Sequence, residues 1–344
     1  MTITKIGQKS LTLTERILTN KKFLNSLAKV SEHGTSFSAG TALALSTIIR
    51  PLAINSTPDV EKKNKQYAMA NSIGSGLIKF GLVEAIALPI EYAVKKIDKT
   101  PDKYLKADTI SNLSNQSIQN LSEAKPYKLL TQIIKLSTGF FTAIPKSMLT
   151  IALIPVLMDK IFTPKKKENK SDISNIHNKI DNKNINFTGK ISETIPKLLG
   201  KIIDNKPIQK FANKFQDKDS DIAKHITAGT DLLLTASFTH QTNKSNKIEE
   251  NRKKVLIYNN WIATSITIIG GYLIDNIVKK GSSKFVENFK KLNQADPKLG
   301  KYIEGLNILR PTLIFAGIYY GILPIVSTYF SERVDNFVKK HQNK

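Results

Sequence analysis

Six blocks of apolar residues, separated by stretches rich in Lys, Asn and Ser, set the pattern of this 344-residue chain. Pro311–Phe330 runs twenty residues without a charge, with Arg310 before it and Glu332-Arg333 after it, which is enough helix to cross a bilayer. Val255–Ile274 is also uncharged over twenty residues, and carries the single Trp261 and the polar pair Asn259-Asn260. Leu136–Met158 is interrupted by Pro145-Lys146; a helix starting at Pro145 would put Lys146 at its end, free to snorkel toward headgroups. Ala68–Val94 contains Lys79, Glu84 and Glu91. The shorter blocks Ser36–Asn55 and His225–Gln241 are broken by Arg50-Pro51 and by Asp231.

The blocks repeat. Aligned without a gap, Thr35–Glu84 and Lys224–Leu273 agree at eleven of fifty positions, 189 residues apart. The matches include Ala39-Gly40-Thr41 with Ala228-Gly229-Thr230, Glu61 with Glu250, Asn71 with Asn260, and Gly81 with Gly270. Duplicated sets of apolar segments are how many membrane folds are built. The pattern predicts an all-α, polytopic membrane helix bundle made of two related three-helix units. Residues 1–35 would form an amphipathic N-terminal helix and 36–162 the first unit. Residues 163–220 would be a basic linker with an amphipathic helix, 221–332 the second unit, and 333–344 a basic tail. An odd number of spans in each unit would invert the second unit relative to the first.

Two stretches outside the blocks have helical spacing. Leu13, Ile17, Leu18, Phe23, Leu24 and Leu27 oppose Arg16, Lys21 and Lys22; Ile195, Leu198, Leu199, Ile202 and Ile203 oppose Lys197, Lys201 and Lys206. Each pattern fits a helix on a lipid surface or one packed on the protein. Residues 163–186, with KKKENK and NKIDNKN, have little to pack and are expected to be a disordered linker.

Charge changes the picture less than its size suggests. The formal +24 comes from 52 basic against 28 acidic residues, but the basic residues are 47 Lys and only 5 Arg. Specific nucleic-acid recognition leans on the planar arginine fork, so no specific nucleic-acid partner is expected. The Lys excess suits an anionic lipid membrane. With six spans assumed, Lys and Arg near the span ends number nineteen on each side, so the positive-inside rule assigns no orientation. The absence of Cys excludes disulfides and thiolate chemistry, and the five His (His33, His177, His225, His240, His341) lack metal-ligand spacing. No nucleotide, protease, hydrolase or calcium motif is present, so neither an enzyme nor a cofactor is expected. Gly74-Ser75-Gly76 reads as small residues that let helices approach.

The candidate functional residues are ionisable groups inside apolar blocks: Arg50, Lys79, Glu84, Asp231 and Arg310. A charge at the bilayer centre costs roughly 2.5–3.5 kcal/mol on the insertion scale. The segment holding Lys79 and Glu84 therefore needs compensation from neighbours, and the two side chains, about 140° apart around a helix, cannot pair with each other. Lys79, Glu84 and Asp231 are expected to face the interior. Arg50 and Arg310 each precede a proline, which would set each at a helix start beside headgroup phosphates.

The strings IIRPLAI, YAMANSIGSGLIKFG and KSMLTIALIPVLM resemble uncharacterised predicted membrane proteins of AT-rich gut bacteria, over about half the chain. That resemblance implies a bacterial inner-membrane location and transfers no functional residue. The functional expectation is an integral membrane protein with a transporter-like duplicated core. A membrane scaffold without a pathway, and a soluble helical interaction protein, are the alternatives.

Overall fold

The computed structural model describes residues 13–58, 62–114, 121–162, 191–246 and 250–326, and these are helical throughout, with no strand among them. The helices are α1 (Leu13–Leu18), α2 (Lys21–Glu32), α3 (Gly34–Ala44), α4 (Arg50–Ser56), α5 (Lys62–Lys99), α6 (Pro101–Tyr104), α7 (Ala107–Ser114), α8 (Lys125–Leu136) and α9 (Thr138–Phe162). They continue as α10 (Ile191–Ile203), α11 (Lys206–Phe215), α12 (Asp219–Lys244), α13 (Glu250–Gly281), α14 (Ser283–Leu292) and α15 (Leu299–Gly317). One-turn π-helices join α3 to α4 (Leu45–Ile49) and extend α15 (Ile318–Ile322).

Among the described residues, five continuous helical stretches are long and apolar enough to cross a membrane: Gly34–Ser56, Ala68–Lys99, Lys125–Leu153, Leu256–Gly281 and Leu299–Val326. The sixth expected block, His225–Gln241, lies in α12, which is as long but does not reach the apolarity of the others. The 163–186 stretch and the 333–344 tail lie outside the described residues.

Six long helical elements pack side by side. The element α3–α4 runs antiparallel to α5: Thr35 and Ser36 meet Glu91 at one end, Ser46 meets Ser72 midway, and Lys65 donates to the Asn55 carbonyl at the other (3.0 Å). The same holds for α12 and α13. His225 meets Tyr272, Thr235 meets Thr264, and Lys253 donates to the Asn243 carbonyl (3.2 Å). Between these pairs the contacts are parallel. Gly139 of α9 lies against Thr230 of α12 and Ser147 against Ser237, so both indices rise together. Gly34 of α3 likewise lies against Ile308 of α15, and Ile49 against Gly321. Helices α3, α9, α12 and α15 therefore all start at one end, here the near end, and α5 and α13 run back to it. The second set of three helices keeps the direction of the first. The expected inversion does not occur, because α9 runs toward the far end while α10 begins again at the near one.

The near end carries the packed core. Tyr104, Leu113, Tyr127 and Leu130 from α6 to α8 bury with Ala93 and Ile97 of α5 and with Leu199, Ile203 and Ala212 of the α10–α11 hairpin. The amphipathic linker helix is thus docked on protein through Ile195, Leu199 and Ile203, while Leu198 and Ile202 of the same stripe stay exposed. A Cβ at Gly200 would collide with the Tyr104 carbonyl, so this contact needs glycine. The N-terminal stripe is also packed on protein: Leu18, Leu24 and Leu27 bury with Phe289 and Tyr302, and Gly305 lets α15 approach the Leu27 backbone.

Candidate functional site

The bundle surrounds a partly open cavity of about 390 Å³ to which all six long elements contribute. Its charged lining consists of Arg50 from α4, Lys79 from α5, Lys146 from α9 and Asp231 from α12, with Tyr319 and Tyr320 from the π-turn after α15. Ser and Thr hydroxyls, Asn71 and Asn260 fill much of the remaining wall.

The sequence folds this way locally for identifiable reasons. In α5, Gly76 lies against Ser46, and any Cβ there would overlap the Ser46 side chain; the Gly-Ser-Gly stretch thus brings α5 against the α3–α4 element and aims Lys79 inward. Helix α9 begins at Thr138, seven residues before Pro145, so Lys146 sits two turns inside the helix and faces the cavity. That corrects the expected start at Pro145 and the expected snorkelling. Ahead of Arg50-Pro51, the π-turn Leu45–Ile49 absorbs the backbone irregularity that a proline imposes. Arg50 stays in helical conformation (φ −65°, ψ −43°) and projects its guanidinium 5.6 Å from the centre of the Tyr319 ring. The two π-turns pack on each other, placing Ile49 against Gly321 and Arg50 against Tyr319. Single-turn π-bulges recur at functional sites.

The cavity charges are poorly compensated. Among the described residues, Lys79, Lys146 and Asp231 form no hydrogen bond or ion pair, although the two lysines lie close enough to act electrostatically on Asp231 and on each other. The buried Arg50 Nε likewise has no hydrogen-bond partner. Three formal positive charges face one negative charge.

Two sequence candidates lie elsewhere. Glu84 sits beside Ser36, His33 and Glu91, with a buried Oε1 that has no partner. Its neighbour Glu91 caps the start of α3, accepting from the Thr35 and Ser36 backbone amides (3.0 Å each) and from the Ser36 hydroxyl (2.9 Å). A carboxylate there satisfies amides that a helix start leaves unpaired. Arg310 is inside α15, not at a helix start, because the helix runs through Pro311. It pairs with the fully buried Asp275 at 2.7 Å, and Lys224 meets the other oxygen of that carboxylate at 3.0 Å. With Asp221 and Lys279 (2.8 Å) this network ties α12, α13 and α15 together near one end. Arg310 is thus structural in its surroundings, while Arg50, Lys79 and Asp231 share the cavity.

Sequence reasoning left Tyr319 and Tyr320 out and placed Lys146 at a helix end. Their signal was weak: the tyrosines sit in an uncharged block like any aromatic pair, and only the π-turn points them inward. No family model, no curated protein and no solved structure matches the chain.

Proposed function

We propose that this chain is an integral membrane protein, of a bacterial inner membrane, whose two related three-helix units surround a solute site in a transporter-like arrangement. The observation that carries the reading is its reversed polarity. Phe141 and Ile277 are 69% exposed, Tyr258 66%, Ile269 62% and Leu52 61%, while Arg50 beside Leu52 and Lys146 beside Phe141 line the cavity and Asp275 beside Ile277 is buried. A water-soluble protein rarely leaves so wide an apolar surface uncovered, whereas lipid requires it.

The duplication is supported by where equivalent residues fall. Ser38 and Thr227, Ala42 and Asp231, Asn71 and Asn260, and Ser75 and Thr264 are each 189 residues apart, and all eight line the cavity. The lysine-to-carbonyl bonds of Lys65 with Asn55 and Lys253 with Asn243 recur one residue out of that register. The two units run in the same direction, as in transporters whose halves are related by an axis along the membrane normal. Through its lysines the protein would also contact anionic headgroups, with binding that weakens as salt screens it.

Washing membranes with alkaline carbonate tests the assignment: the protein should stay in the pellet, and release into the supernatant would sink it. One observation favours a soluble helical interaction protein instead. Helix α9 runs toward the far end and α10 starts at the near end, so residues 163–190, with seven Lys and three acidic residues, connect opposite ends of the bundle. In a bilayer so polar a connection could not lie in hydrocarbon. Carbonate release together with a monodisperse aqueous preparation would establish this second reading.

A further inference from the structure

We infer that the cavity binds an organic oxyanion carrying about two negative charges, a dicarboxylate or a phosphate monoester, held between Lys79 and Lys146 with Arg50 at one wall. The inference rests on the reading of the cavity as a solute site and adds the chemistry of the solute. Charge comes first: Arg50, Lys79 and Lys146 face Asp231 alone, a formal excess of two positive charges. Uncompensated charges enclosed by protein are costly, and an anion of matching charge removes the cost by entering. Geometry agrees, since Lys79 and Lys146 lack hydrogen-bond partners among the described residues and the Arg50 Nε donor is unused. These are donor groups without acceptors, which is what an oxyanion supplies.

Size and lining then favour an organic body over a bare inorganic ion. The cavity of about 390 Å³ lies in the roughly 300–1,000 Å³ range of small-molecule sites. Phe80, Phe238 and Phe315 supply apolar wall, and the hydroxyls of Thr230 and Thr264 can meet ligand oxygens. Asp231 would repel the anion, so its place beside the lysines sets the net charge the site accepts and disfavours anions of higher charge.

The test uses the full-length protein purified in mild detergent, with thermal unfolding followed against succinate, glycerol 3-phosphate and inorganic phosphate. Sodium chloride at matched ionic strength is the control, and detergent micelles doped with phosphatidylglycerol are the lipid arm. Succinate or glycerol 3-phosphate should raise the Tm more than inorganic phosphate does, and chloride should not raise it. Lys79→Gln and Lys146→Gln should each weaken binding roughly tenfold or more. Asp231→Asn should tighten it, a gain that a misfolded variant could not show. Stabilisation by phosphatidylglycerol alone, lost in the same two lysine variants, would overturn the dianion assignment, because that headgroup is a phosphodiester with one negative charge. A response to anions that survives both lysine substitutions is surface screening on a strongly basic protein and overturns the inference, as does the absence of any response. Carbonate extraction is independent of these readouts, so a membrane protein that binds no anion and a soluble protein that binds one are told apart.

Discussion

Arg310 reaches from α15 to Asp275 of α13 at 2.7 Å, and it does so across a carboxylate with no solvent exposure. The pair belongs to a network with Lys224, Asp221 and Lys279 that fastens three helices. Removing one member of a buried pair leaves the other charged and unmatched, a loss of about 3–5 kcal/mol when no other partner remains. Here Lys224 remains beside Asp275, so Arg310→Met should cost about 2–3 kcal/mol by that principle, the remaining cation absorbing part of the loss. Denaturation in detergent measures it. The double variant Arg310→Met, Asp275→Leu should recover much of the stability, and failure to recover would mean that Arg310 acts through something other than Asp275.

Glycine contacts make a paired prediction. Gly305 abuts the Leu27 backbone, and a Cβ there has no flexible side chain to push aside. Gly305→Ala should destabilise by about 1–3 kcal/mol, the usual range for overpacking. Gly40 is helical with nothing within 4 Å of a Cβ, so Gly40→Ala should be neutral or stabilise by up to about 1 kcal/mol. Comparing the two melting shifts checks the packing of α2 on α15 against the open face of α3.

How far the sequence discloses this architecture depends on which residues are asked. The apolar blocks and the inward charges Lys79 and Asp231 were legible, because a long uncharged run and a charge within it each have a strong energetic meaning. Helix direction was not legible: apolarity is the same read either way, and only where the chain resumes after Phe162, at Ile191 by the near end, sets the second set parallel to the first. Arg50 and Arg310 share the same Arg-Pro dipeptide, yet one faces the cavity and the other a buried Asp. What separates them is the π-turn before Arg50 and the partner Asp275, and neither leaves a local sequence mark.

Docking of the α10–α11 hairpin should depend on pH through Glu193. The hydrogen bond from Lys96 (2.7 Å) and that from Lys103 (3.3 Å) hold its carboxyl at about 2, below the ordinary 4.5. A folded-state value below the unfolded one means the proton is held less tightly in the folded protein. The contribution is therefore fully present above about 4.5 and is lost as pH falls from there toward 2. Protection factors of the α10 amides, exchange rates divided by the intrinsic rate at each pH, should fall across that window. Glu193→Gln should show lower protection at neutral pH and no further loss of protection down to pH 3 from this group. An unchanged exchange rate in the variant would show that apolar burial of Leu199 and Ile203 alone holds the hairpin.

The parallel seam between α9 and α12 can be read by crosslinking, because the chain has no cysteine of its own. A Cβ built at Gly139 lies 3.5 Å from the Thr230 Cβ, at the short end of the range found in disulfides. Eight residues on along α9 and seven along α12, the Ser147 and Ser237 hydroxyls meet at 2.6 Å. Gly139→Cys with Thr230→Cys, and separately Ser147→Cys with Ser237→Cys, should each oxidise readily to an internal crosslink. Cleavage within 163–190 followed by non-reducing electrophoresis would detect it as two fragments that stay joined. Two antiparallel helices could satisfy one of these pairs but not both, since eight residues of rise one way and seven the other would carry the second pair roughly 22 Å apart. Both crosslinks forming means α9 and α12 run side by side in the same direction. Formation of only one would remove the parallel arrangement of the units, and with it the support that the shared cavity lends to a duplicated core.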